Sequence, residues 1–159
     1  MSRFSRTGLL STPVAHFQTD LFLRALSGAA LTAIATAIKN APATCKMIFV
    51  PLRDAVSRVS PTATAFALRE PGYEIDIAGV WNIPAEKAEV VQWVQATRDT
   101  LQPFAHGVYV NQLGDTSDQL VRTAYGPNYD RLVEIKKKYD PSNVFRLNQY
   151  IKPDGHSNA

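Results

Sequence analysis

The sequence predicts an α+β fold, an antiparallel or mixed sheet with helices packed on one face, followed by a compact C-terminal helical module. Three observations predict it. Residues 73–81, YEIDIAGVW, alternate as a strand with two faces does. Residues 84–102 carry apolar positions at helical spacing. Residues 117–139 hold two short helical patterns with Gly126-Pro127 between them.

The elements follow in chain order. Residues 1 to about 20 show no clear periodicity. Ala, Leu and Ile from Gly28 to Lys39 predict a helix, closed by Asn40-Ala41-Pro42. CKMIFVPL (45–52) is a short apolar run, strand by its length. DAVSRVS (54–60) alternates, punctuated by Pro51 and Pro61, so strands of one sheet are expected from about 45 to 81. In YEIDIAGVW, Tyr73, Ile75, Ile77, Gly79 and Trp81 fall on one face, and Glu74 and Asp76 on the other.

Pro84 opens a helix in which Val90, Val94, Thr97 and Leu101 form one inward stripe, and Pro103 ends it. GVYVNQLGD (107–115) reads as a further strand, with Tyr109 and Asn111 two apart on one side. Ser117 caps DQLVRTAY, with Gly126 at its end. A last helix, Tyr129 to Tyr139, stops at Asp140-Pro141. A sheet this small leaves an open edge.

Composition narrows the functions. The 159 residues suit one ordinary domain with a sizeable core. Lys plus Arg number 17 against 14 Asp plus Glu, with no basic stripe, so nucleic acid is not an expected partner. Leu26–Ile38 is too short and too interrupted to cross a bilayer, so no membrane partner is expected and the localisation is left unknown, cytoplasmic by default. Arg3 and Arg6 are faintly like a transit peptide, but no apolar stretch of the right length follows. The one cysteine, Cys45, makes no internal disulfide, and no Cys/His cluster has metal-ligand spacing. There is no GxGxxG, no GxxxxGK[ST] and no nucleophile elbow. The residues alone suggest half of a site.

YVNQLGD (109–115), AYGPNYDRLVEIKKKYDPSNVF (124–145) and RLNQYIKP (146–153) together resemble the C-terminal module of the berberine-bridge-enzyme-like FAD-linked oxidases. REPGYEIDIAGVWNIPAEKAEVVQWVQATRDTLQPFA upstream is similar to that family's substrate-domain strand and helix. The resemblance covers about residues 45–153. It implies part of a vanillyl-alcohol-oxidase-type fold, with residues 1–103 as the end of the substrate domain and 104–159 as the berberine-like module. It also implies FAD, held mainly by an N-terminal domain or subunit with no counterpart here, and a small organic substrate of sugar, phenolic, alkaloid or polyketide type. The isolated chain is then expected to be incomplete, inactive and unable to retain FAD, because ring-edge contacts of about 1 kcal/mol each do not offset the loss of free motion on binding.

By the same resemblance Tyr109, Asn111, Asn148 and Gln149 approach the cofactor, and Tyr109, Asn111 and Asn148 are expected in one concavity. Gln112 stands where many relatives carry an aromatic that serves as base, and an amide takes no proton at neutral pH. Tyr150 stands where relatives often have Asn or Ser. Tyr109, and Glu74 or Asp76 as a substitute base, are the candidate catalytic residues. Solvated acids at 74 and 76 are the plainer reading. Two other functions stay open, a non-catalytic fragment and a small protein-interaction module without flavin.

Overall fold

The computed structural model describes residues 15–112, 117–147 and 151–154. Its core is a four-stranded antiparallel sheet of β1 (Ala15–Leu23), β2 (Cys45–Leu52), β3 (Gly72–Trp81) and β4 (Ala105–Gly107), in the spatial order β2-β3-β1-β4. Helices α1 (Gly28–Lys39) and α2 (Lys87–Leu101) cover one face, and α3 (Asp118–Tyr125) and α4 (Tyr129–Tyr139) follow.

Each helix begins and ends where its residues dictate. The Ser27 hydroxyl accepts from the Ala30 N–H at the start of α1, and the Ser117 hydroxyl accepts from the Leu120 N–H at the start of α3. Pro84 opens a single 3-10 turn that runs into α2. Gly126 closes α3 at φ +49°, in the left-handed region where a side chain is strained. Asp140 ends α4. Its carboxylate accepts from Lys136 and from the Val144 and Phe145 N–H groups, which turns the chain out of the helix.

The predicted stripe of α2 is the buried one. Val90, Val94, Thr97 and Leu101 are its buried residues. Val94 and Leu101 pack with Ile34 of α1 on Leu21, Leu23, Ile75 and Ile77 of the sheet. Gly79 lets α2 come close, because a Cβ there would lie 2.4 Å from Val90 Cγ1 and 2.8 Å from Cys45 Sγ. The Trp93 indole N–H donates to the Ala37 carbonyl and ties α2 to α1.

Three expectations are corrected. Residues 15–23, which overlap the stretch without clear periodicity, form β1, which lies inside the sheet. Thr19 to Leu23 are buried on both faces, so no alternation shows. DAVSRVS is not a strand. Asp54 sits at φ 60°, a left-handed position that Asp tolerates, and Val56–Arg58 is one 3-10 turn. Strand β4 ends at Gly107, and Val110–Gln112 is a 3-10 turn, so Tyr109 and Asn111 are not side by side through strand alternation.

Candidate functional site

The sheet face opposite α1 and α2 is polar where the other is apolar. β1 and β3 pair with Asp20 opposite Asp76 and Phe22 opposite Glu74. Since residues directly opposite in an antiparallel pair share a face, Asp20, Phe22, Glu74 and Asp76 lie on this side. β2 adds Ile48 opposite Asp76 and Val50 opposite Glu74.

Aromatic rings build the wall beside these acids. Phe22 meets Phe66 at 6.3 Å between ring centres, and Phe66 meets Tyr109 edge to face at 5.8 Å. Arg69 lies 4.8 Å from the centre of the Phe66 ring. Phe66 comes from the irregular segment 61–71. Asn128 pins that segment to the C-terminal helices, its buried amide donating to the Pro61 carbonyl at 2.8 Å and to that of Ala65 at 3.3 Å.

Tyr109 and Asn111 do stand together. The Asn111 amide donates to the Tyr109 hydroxyl at 2.8 Å, leaving the phenolic proton free to donate outward. With Ala65, Phe66, Val110, Ala124 and Tyr125 they line a cleft of about 240 Å³. Asn148, Gln149 and Tyr150 lie outside the described residues, as does the side chain of Gln112, so the expected convergence of Asn148 on Tyr109 is not placed.

Glu74 and Asp76 are half-buried and not fully solvated. Burial raises both carboxyls. The charge of Asp76 raises Glu74 further, whereas Lys46 partly offsets the rise at Asp76. His106, edge-on to Phe22, is held below its usual value first by burial and then by Arg24.

The residue that sequence reasoning missed is Asp20. It is 0% exposed, and one carboxyl oxygen accepts the Tyr109 N–H at 2.7 Å. Burial pushes it up to about 8 against the lowering effect of that hydrogen bond, with the charges of Glu74 and Asp76 adding to the rise. One signal was available: a lone acid inside an apolar run, TDLFL, is out of place unless it has a task.

Residues 108–152 match the family model described as "Berberine and berberine like". The chain as a whole is similar to berberine-bridge-enzyme-like FAD-linked oxidases. It is 36% identical over 105 residues to the uncharacterized FAD-linked oxidoreductase YvdP of Bacillus subtilis, covering 66% of this chain and 24% of that one. It is 38% identical over 102 residues to YgaK of the same organism, covering 64% of this chain and 23% of that protein. Its fold matches berberine bridge enzyme from Eschscholzia californica with a TM-score of 0.78 at 19% identity, over 94% of this chain and 35% of that one. The chain thus spans about a quarter of the length of the curated relatives it matches. The sheet with its helices is the berberine-bridge-enzyme type of fold.

The residues present fit one end of FAD. Phe66, Tyr109, Tyr125 and the Asn111 amide offer flat edges and a donor–acceptor group suited to a flavin ring. Among the described residues, no glycine-rich turn presents a row of N–H groups for the diphosphate, and Gly126 is the one glycine at positive φ. No group of His, Cys, Asp and Glu among them is arranged to hold a metal ion. No helix among them is long and apolar enough to cross a membrane.

Proposed function

We propose that this chain forms the substrate-side wall and ring-edge contacts of an FAD-dependent oxidoreductase acting on a small organic molecule of sugar, phenolic, alkaloid or polyketide type. Residues 1–103 act as the end of a substrate domain and 104–159 as the module that returns to the cofactor. The dinucleotide is held by a domain or subunit outside these 159 residues. The observation that carries this reading is that Asp20, on the same sheet face as Glu74 and Asp76, accepts the Tyr109 N–H and so joins that face to the cleft lined by Tyr109 and Asn111.

When bound, the flavin supplies the hydride acceptor. Tyr109 and Asn111 orient the ring edge, and the family resemblance assigns Asn148 and Gln149 to the same cofactor. Phe66 and Tyr125 exclude water along the cleft. Glu74 or Asp76 takes the hydroxyl proton of the substrate, and Tyr109 offers its phenolic proton as a hydrogen bond to the substrate oxygen. A half-buried carboxyl with raised basicity suits the base. Asp76 is the better placed of the two, because it faces Lys46, which favours its ionised form.

Two experiments test the reading. The first titrates the 159-residue protein with FAD and with riboflavin, followed by amide NMR. Weak shifts confined to Phe66, Tyr109 and Asn111, equal for the two ligands, are expected; flavin that survives purification would show a complete site in this chain. The second replaces the matching part of the Bacillus relative by this chain and follows flavin bleaching with sugars and phenols. Asp76→Asn is expected to slow reduction by about 100-fold or more, the usual worth of a positioned base. Equal rates in Asp76→Asn, Glu74→Gln and the parent remove both carboxyls from that role.

A further inference from the structure

Asp20 has no part in the site as the sequence presents it, yet it is the most enclosed polar group on this face. Its Oδ2 accepts the Tyr109 N–H, a contact across 89 positions of the chain. Its Oδ1 is buried and has no hydrogen-bond partner. Directly across the β1–β3 pairing stands Asp76, whose Oδ1 is also buried without a partner. A negative charge on one of two facing carboxyls opposes ionisation of the other, so one of them keeps its proton to higher pH.

The surroundings decide which one. Around Asp20, β3 presents Glu74 and Asp76, and the β4 segment presents His106 and the Tyr109 phenol. β2 presents Lys46, whose charge acts on Asp76. Arg24 and Arg69 bear on His106 and Phe66. Asp20 therefore faces two acids, whereas half-buried Asp76 faces a lysine.

We propose that Asp20 is a neutral positioning residue of this site: one carboxyl oxygen holds the Tyr109 amide while the other keeps the proton of the Asp20–Asp76 pair, leaving Asp76 as the ionised carboxylate. The inference rests on the reading of Asp76 as a site carboxylate. It adds a reason why a third acid belongs on the face. With the proton held on the enclosed member, the half-buried member stays ionised at neutral pH and free to accept a proton from a substrate. The same carboxyl fixes the turn that presents Tyr109 and Asn111, so proton holding and cleft geometry are coupled.

The test is a pH titration of the full 159-residue protein from pH 4 to 9, by carboxyl carbon and amide NMR, with Asp76→Asn and Asp20→Asn beside it. Asp20 is expected to be the last of the three carboxyls to lose its proton. The Tyr109 amide signal should move with the same midpoint. Asp76→Asn removes the facing charge and should lower the Asp20 midpoint, and this variant is half-exposed at the altered position, so it is readable even if Asp20→Asn unfolds. In Asp20→Asn the Tyr109 step should vanish and Asp76 should titrate lower. An Asp20 that ionises in the ordinary carboxylate range, or a midpoint indifferent to Asp76→Asn, overturns the proposal. None of these readings requires flavin or turnover, so failure of the oxidoreductase reading shows up separately, in the flavin experiments.

Discussion

The Tyr109 backbone N–H donates to a carboxyl oxygen of Asp20 at 2.7 Å, joining the centre of the sheet to the turn that carries the Tyr109–Asn111 pair. Tyr109 thus sits where it does because of a residue on the first strand.

The burial of Asp20 makes stability depend on pH in a definite direction, against the smaller lowering effect of that bond. Asp20 has an ordinary value of 3.8 and is pushed up to about 8 in the folded protein. Between those limits the folded chain holds a proton that the unfolded chain has released. The contribution is therefore fully present below about pH 4 and lost progressively as pH rises toward 8. Urea melts at pH 5, 6, 7 and 8 should show falling stability in the parent and a shallower fall in Asp20→Asn. Parallel slopes would mean that Asp20 is ionised throughout.

Removing the acceptor altogether should cost more than replacing the carboxyl by an amide. Asp20→Ala leaves the Tyr109 N–H without its partner in a buried setting, a loss of about 1–3 kcal/mol. Guanidinium melts at one pH give the number, and a larger loss for Asp20→Asn than for Asp20→Ala would contradict this account.

Asn111→Ala should separate site from scaffold. Asn111 is exposed and its amide donates to the Tyr109 hydroxyl, so stability should change by less than about 0.5 kcal/mol. Riboflavin-induced shifts at Tyr109 should nonetheless weaken. A large drop in melting temperature would assign Asn111 to the scaffold.

Asn128→Ala should loosen the 61–71 segment. It removes two hydrogen bonds to the Pro61 and Ala65 carbonyls from a buried residue and should cost about 1–3 kcal/mol. Limited proteolysis between 61 and 71 should accelerate, with Phe66 leaving the cleft wall. Unchanged cleavage would show that the segment is held by other contacts.

Gly79→Ala should show how closely α2 rides on β3. The added methyl meets Val90 Cγ1, and overpacking of this kind costs about 1–3 kcal/mol. Shortening the opposing residue in Gly79→Ala with Val90→Ala should recover part of it, so the two changes should not add. Strict additivity in a double-mutant cycle would place the strain elsewhere.

The local signals in the chain determined a good deal. Caps and breakers are properties of one residue and its neighbours, so Ser117, Gly126, Pro84 and Asp140-Pro141 marked helix ends that the structure keeps. The stripe Val90, Val94, Thr97 and Leu101 was legible because one face of α2 meets the sheet and the other meets water. The proximity of Tyr109 and Asn111 was legible too, although a 3-10 turn brings it about and not the strand expected from alternation. Tertiary structure alone decided the rest. β1 carries no period because neighbours bury both its faces, and burial by neighbours is not written in a window of nine residues. For the same reason Asp20 read as an ordinary acid. What sets it apart is the absence of water, the charge of Asp76 opposite and the amide of a residue 89 positions away, and all three exist only once the sheet has formed.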